Sequence, residues 1–200
     1  MKTVFTLILF LQLSFVVAQE SFNADAVAQF QQELNTHYAN VEKSPLTTQD
    51  LAVFKSLEFF PANPSFFVNA KFVRTPSEQP FQMKTSTTRK PIYIKYGEVY
   101  FTIEGQEFKL NVYQDIALSK QKEYVNYLFL PFSDATSGHE SYLGGRYIDL
   151  LIPGGDVLTI DFNKAYNPYC AYNPDYSCPL VPLENDLNIA IKAGVKKFHE

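Results

Sequence analysis

From Phe59 onward, apolar and polar residues alternate at every second position, with Gly and Pro marking the reversals. That period admits strands and few helices, because successive strand side chains point to opposite faces. Stretches 68–74, 81–85, 92–95, 124–132 and 187–192 read as strands. Residues 98–114 form the clearest hairpin. A type II′ turn at Gly105-Gln106 sets Ile103 opposite Phe108, Phe101 opposite Leu110 and Val99 opposite Val112. Thr102 with Lys109 and Tyr100 with Asn111 then make the other, wet face. A sheet with a single buried face is expected to be antiparallel. The 18 Phe and 13 Tyr suit such half-buried pleated surfaces.

A second hairpin is expected between residues 146–152 and 157–162, through Pro153-Gly154-Gly155-Asp156. Pairing Ile152 with Val157 puts Arg146 opposite Asn163 and Ile148 opposite Asp161. Arg146 and Asp161 become diagonal neighbours on one face, either as a structural latch or as half of an anion pocket.

Upstream the pattern is helical. Val27, Phe30, Leu34 and Val41 fall near one helical face, with Asn23 as N-cap and Ser44-Pro45 as the stop. Thr47-x-x-Asp50 reads as a variant capping box opening a short helix with Leu51 and Phe54. The expected fold is mainly β, an antiparallel barrel-like or sandwich-like domain with a short N-terminal helical cap.

At the amino terminus an apolar run from Val4 to Val17 follows Lys2, and Val16 and Ala18 occupy the −3 and −1 positions of a cleavage site before Gln19. The run is shorter than the ~20 residues that span a bilayer, so it reads as an export signal rather than an anchor. The expected organisation is a signal peptide at 1–18, a helical segment at 19–58 and a β-rich domain at 59–200. No later stretch is apolar enough to span. Removing residues 1–18 takes away one Lys and no acid and leaves a net charge of −5. With no Lys/Arg stripe, nucleic acid is excluded as a partner. An unknown small molecule or an envelope component remains, and no cofactor motif is present.

Two polar runs carry the candidate chemistry. Residues 132–146 pack Asp134, His139, Glu140, three Ser and three Gly before Arg146. Asp134, His139 and Glu140 are candidates for general acid/base work. No G-x-S-x-G elbow surrounds a serine, and His139-Glu140 lacks the second His of the zinc motif H-E-x-x-H. The alternative is a polar loop whose Asp and Ser side chains cap the backbone. Residues 161–185 form a long connection rich in Tyr, Asn and Pro, with Asp161, Asn163, Tyr166, Asn167, Glu184 and Asn185 as candidate ligand contacts. It also holds both cysteines, Cys170 and Cys178. In an exported chain they suggest a disulfide, with free structural thiols or a metal site including His139 as alternatives.

These runs also carry a resemblance. Phe132-x-Asp134-x-Thr136-x-Gly138-x-Glu140-x-Tyr142 with Gly145-Arg146-Tyr147 is one half. Asp161-Phe162-Asn163-Lys164-Ala165-Tyr166-Asn167-Pro168-x-Cys170-Ala171, Cys178-Pro179, Pro182-x-Glu184-Asn185 and Ala193-Gly194-x-Lys196 are the other. Over residues 59–198 the chain resembles the uncharacterised bacterial family catalogued as domain of unknown function 1684. The resemblance implies a shared fold and brings no reaction, cofactor or partner. Many relatives look cytosolic, and a cysteine pair kept there would need a purpose beyond a bridge.

The functional expectation is a non-catalytic small-ligand-binding domain, with its site between the 134–146 and 161–185 loops. The alternatives are a hydrolase using Asp134, His139 and Glu140 with Arg146, and a purely structural envelope protein.

Overall fold

The computed structural model describes residues 20–199; the expected export signal at 1–18 lies outside the described residues. Helix α1, Ala24–Ala39, starts where Asn23 accepts the backbone N–H groups of Asp25 and Ala26. These would otherwise be orphaned at the first turn. Val27 and Tyr38 are its buried residues, with Phe30 and Leu34 half-buried. Val41 departs from the expected face: the helix has ended, and Val41 is 82% exposed. Helix α2, Thr48–Val53, is capped by Thr47, whose Oγ1 accepts from Asp50 N and donates to its carboxylate. No described helix is long and apolar enough to cross a membrane.

The rest is one antiparallel sheet curled into a half-barrel. Its strands are β1 Phe67–Arg74, β2 Phe81–Gln82, β3 Ile92–Ile103, β4 Gln106–Asp115, β5 Tyr127–Asp134, β6 Arg146–Leu151, β7 Val157–Asp161 and β8 Asp186–Leu187. The order across the sheet is β6-β5-β4-β3-β1-β7, with β2 on β3 and β8 parallel to β5. The concave face holds the main core, including Val68, Phe101, Leu110, Leu130, Ile148 and Ile160. On the convex face Tyr93, Tyr113, Phe129 and Tyr147 form an aromatic layer with Met83. The 161–185 connection packs onto this layer through Tyr166.

The first hairpin keeps its faces but slips by two residues. Phe101 pairs with Phe108 and Val99 with Leu110, around a turn at Glu104-Gly105 where φ is +51° and +78°. Two successive positive φ values make a type I′ turn at Glu104-Gly105 in place of the II′ turn expected at Gly105-Gln106; both types have the twist that the flanking strands require. Because the slip is an even number, inward residues stay inward. Across most of their length β4 and β5 do not ladder; only Tyr113 pairs with Phe129. Pro131 has no N–H to give. The Asn185 amide stands in, accepting from Asn111 N at 2.8 Å and donating to Asn111 O at 2.9 Å and Pro131 O at 2.7 Å.

The second hairpin does not close. β6 pairs with β5 and β7 with β1, so residues 152–156 join the two open margins of the half-barrel instead of two paired strands. Competing partners explain this: Ile152 N donates to Asn126 O, and Phe72 N donates to Asp156 O. Arg146 therefore does not sit beside Asp161 on a shared ladder. The expected strand at 187–192 shrinks to β8, beyond which the chain supplies carbonyls to Arg146.

Candidate functional site

Arg146 is a latch, with a different partner from the one the sequence suggested. Its guanidinium donates to Asp134 Oδ2 at 2.6 Å, to Ile191 O at 2.8 Å and to Ala193 O. Both charged side chains are 0% exposed. Burial lowers the Arg146 pKa, and Asp134 opposes that shift. Asp134 Oδ1 also accepts from Thr136 N at 2.6 Å, and Thr136 and Ser141 share a hydroxyl hydrogen bond of 2.7 Å. The 132–146 run thus spends most of its polar groups on itself and on pinning the carboxy-terminal segment, with Arg146 Nε left without a partner among the described residues. His139 and Glu140 lie exposed on it, with Glu140 3.1 Å from Lys192. Asp134 is sealed inside while His139 faces solvent, so the three acid/base candidates share no cleft.

The candidate amides are likewise engaged internally. Asn163 accepts from Asn63 N at 2.8 Å and donates to Asn63 O at 3.0 Å and Asp161 Oδ1 at 2.8 Å. Asn167 donates to Lys196 O at 2.9 Å, and Asn185 bridges β4 and β5. Glu184 is exposed on the short turn before β8. Cys170 and Cys178 are adjacent free thiols, not a disulfide: Cys170 N donates to Cys178 Sγ at 3.2 Å. Among the described residues no three His, Cys, Asp or Glu side chains gather.

The open seam between β6 and β7 forms a groove instead. Its widest part, about 770 Å³, runs past Asn69, Tyr127, Asp149, Leu151, Val157 and Thr159. A second part of about 290 Å³ includes Phe67, Ile148, Asp149, Asp161, Lys164 and Tyr166, with Phe30 of α1 above. A third, about 360 Å³, is lined by Phe30, Leu34, Tyr147, Asp149, Tyr166 and Cys178. Asp149 belongs to all three.

Its geometry follows from the register of β5 and β6. Phe129 pairs with Asp149 and Tyr127 with Leu151, which makes Tyr127 a same-face diagonal neighbour of Asp149. Tyr166 reaches the same carboxylate because an isolated bridge ties it to Tyr147. Both phenols donate to Asp149 Oδ1, at 2.7 and 2.6 Å. Burial first, and the Asp149 charge second, push both phenol pKa values far up, so both remain neutral donors. Two donors on one oxygen orient the carboxylate, and Asp149 remains exposed to the groove. Glu20, Asp149 and Asp161 face one cation, Lys164. The groove is therefore acidic, with apolar walls.

Of the candidate ligand contacts, Tyr166 and Asp161 line the groove. The sequence reading missed Asp149, Tyr127 and Lys164. In sequence Asp149 is one more polar residue on an alternating strand; only the β5–β6 register brings Tyr127 to it.

The comparisons agree with this architecture. No curated protein matches the chain. The solution NMR structure of an uncharacterized protein from gene locus rrnAC0354 of Haloarcula marismortui superimposes with a TM-score of 0.66 at 30% identity. The match covers 86% of this chain and 92% of that one. The model of a family described as "Protein of unknown function (DUF1684)" matches residues 52–196. With both long motifs inside that span, the chain belongs to the DUF1684 family.

Proposed function

We propose that this chain is an exported, non-catalytic binding domain for a small organic molecule, held in the seam groove between β6 and β7. The observation that carries the reading is Asp149. A carboxylate fixed by two neutral phenols, open to a groove with apolar walls, is the kind of convergent polar anchor that small-molecule sites use. The acidic balance favours a ligand presenting an amine or hydroxyl donor to Asp149, with an apolar body against Phe30, Leu34 and Ile148. Export rests on residues 1–18, and the intact mass of protein recovered from the exported fraction tests it: the mature chain should begin at Gln19.

Binding is tested by native mass spectrometry of the purified protein for co-purified small molecules, followed by thermal-shift screening of amines, polyols and small peptides. The expected result is a stabilising hit that Asp149→Asn weakens by at least about tenfold, as expected on losing a charge-assisted hydrogen bond. A hit unaffected by Asp149→Asn, or silence across both experiments, overturns the reading.

A further inference from the structure

The 161–185 connection carries a second site, independent of the ligand proposed above. Cys170 is half-buried and reachable, Cys178 is buried, and a hydrogen bond from the backbone of the first to the sulfur of the second sets the two side by side. Each has further support. Cys178 Sγ accepts from Cys170 N at 3.2 Å, and the Tyr142 hydroxyl lies 3.9 Å from Cys170 Sγ. Cys178 is itself fixed in place: its N donates to Ser86 Oγ at 3.0 Å, and Ser86 N donates to Cys178 O at 2.8 Å. A mobile pair with nothing behind it would be two incidental thiols. These two are held together by three separate pieces of chain.

The geometry points to a reversible dithiol–disulfide site that exchanges with low-molecular-weight disulfides, with Cys170 as the attacking thiol and Cys178 as the resolving one. The Cys170 thiolate attacks one sulfur of the disulfide RSSR; a Cys170–SR bond forms and RS⁻ leaves, taking a proton to become RSH. Cys178 then loses its proton and attacks Cys170 Sγ, forming the Cys170–Cys178 bond and expelling the second RS⁻. Both protein thiols are oxidised and RSSR is reduced to two RSH.

The assignment of roles follows from the surroundings. The Cys178 thiol, the Tyr142 hydroxyl and Ser86 all stabilise a Cys170 thiolate, bringing its pKa down to about 6 against the opposing effect of burial. Cys178 is pushed up by the adjacent Cys170 and by its own burial. The titratable groups facing the pair are phenols, Tyr142 from the 142 loop, Tyr147 from β6, Tyr169 and, on α1, Tyr38. Because Cys178 also lines the groove beside Tyr147 and Tyr166, the redox state of the pair changes the groove wall.

The test uses the full mature chain, reduced, freed of reductant and equilibrated anaerobically in buffers of varied reduced-to-oxidised glutathione ratio. Acid-quenched samples are alkylated and weighed intact. The expected result is one transition in which both thiols disappear together with loss of two hydrogens. In Cys178→Ser a single glutathione adduct should accumulate on Cys170. Alkylation of reduced Cys170 at pH 6 should run on the order of tenfold faster than that of free cysteine. That factor is the gain in thiolate fraction less the nucleophilicity lost with a lower pKa. Thiols that alkylate independently across all buffers overturn the proposal, as does a Cys170 rate equal to that of free cysteine. So does a bridge that dithiothreitol cannot open in the folded protein, since that marks a purely structural disulfide. If Cys178→Ser fails to fold, the wild-type titration alone decides.

Discussion

Replacing Arg146 should unlatch the carboxy-terminal segment. Arg146→Met removes the one charge partner that Asp134, with a side chain 0% exposed, has among the described residues, and takes donors from Ile191 O and Ala193 O. Those carbonyls lie on the chain that also returns Gly194 O to Phe60 N and Val195 N to Ala165 O, so the loss spreads to both ends of the domain. Breaking a buried pair by removing one partner costs about 3–5 kcal/mol, most of it the penalty for the stranded charge. For a chain of this size that corresponds to a fall in Tm of roughly 6–20 °C. Urea denaturation of Arg146→Met, Asp134→Leu and the double variant completes a double-mutant cycle. The double variant strands carbonyls but no charge, so it should lose less than the sum of the singles by about 2 kcal/mol or more. A single-variant loss under about 1 kcal/mol, or strict additivity, would refute the latch.

Other expectations concern different joints of the fold. Asn185→Asp keeps the shape but removes both Nδ2 donors and turns a carboxylate toward two carbonyls; urea midpoints should report a loss of about 2–4 kcal/mol. Gly194→Ala should destabilise measurably by calorimetry, because φ is +76° there and a Cβ would come within 2.6 Å of Ala165 O. Glu104→Asn should stabilise by about 0.5–1 kcal/mol, since Asn tolerates the positive φ that Glu104 adopts in the type I′ turn. Burial raises the folded-state pKa of Tyr38, Tyr127, Tyr147 and Tyr166 above the unfolded value near 10. Their contribution is then complete below pH 10 and lost as pH climbs beyond it, because the unfolded chain releases those protons first. Thermal melts from pH 8 to pH 11 should fall, with phenolate absorbance appearing at unfolding rather than before it.

Much of the architecture was legible from residues alone. The Asn23 and Thr47 caps, the alternation across β3 and β4, and the two long motifs led to the capped helices, the antiparallel sheet and the family. The hairpin register slipped because Glu104 shows no sign in sequence of adopting a positive φ, whereas Gly105 does. The open seam was illegible for a stronger reason. Pro153-Gly154-Gly155 is a sound turn signal, yet Ile152 and Asp156 at its two ends are taken by Asn126 and Phe72, continuing the pairing of β6 with β5 and of β7 with β1. The candidate site moved with it. Arg146, Asn163 and Asn185 carry polar groups that catch the eye in sequence, but they serve as internal joinery, while the accessible carboxylate, Asp149, sits in an unremarkable strand.

Helix α1 contributes Phe30 and Leu34 above the seam, yet it spans Ala24–Ala39, outside the 52–196 stretch that the family model describes. Floor and cover are therefore joined where side chains of one helix rest on the margin of the sheet. Substitutions at Phe30 and Leu34 alone would change what the groove accommodates while leaving every strand pairing beneath them as it is.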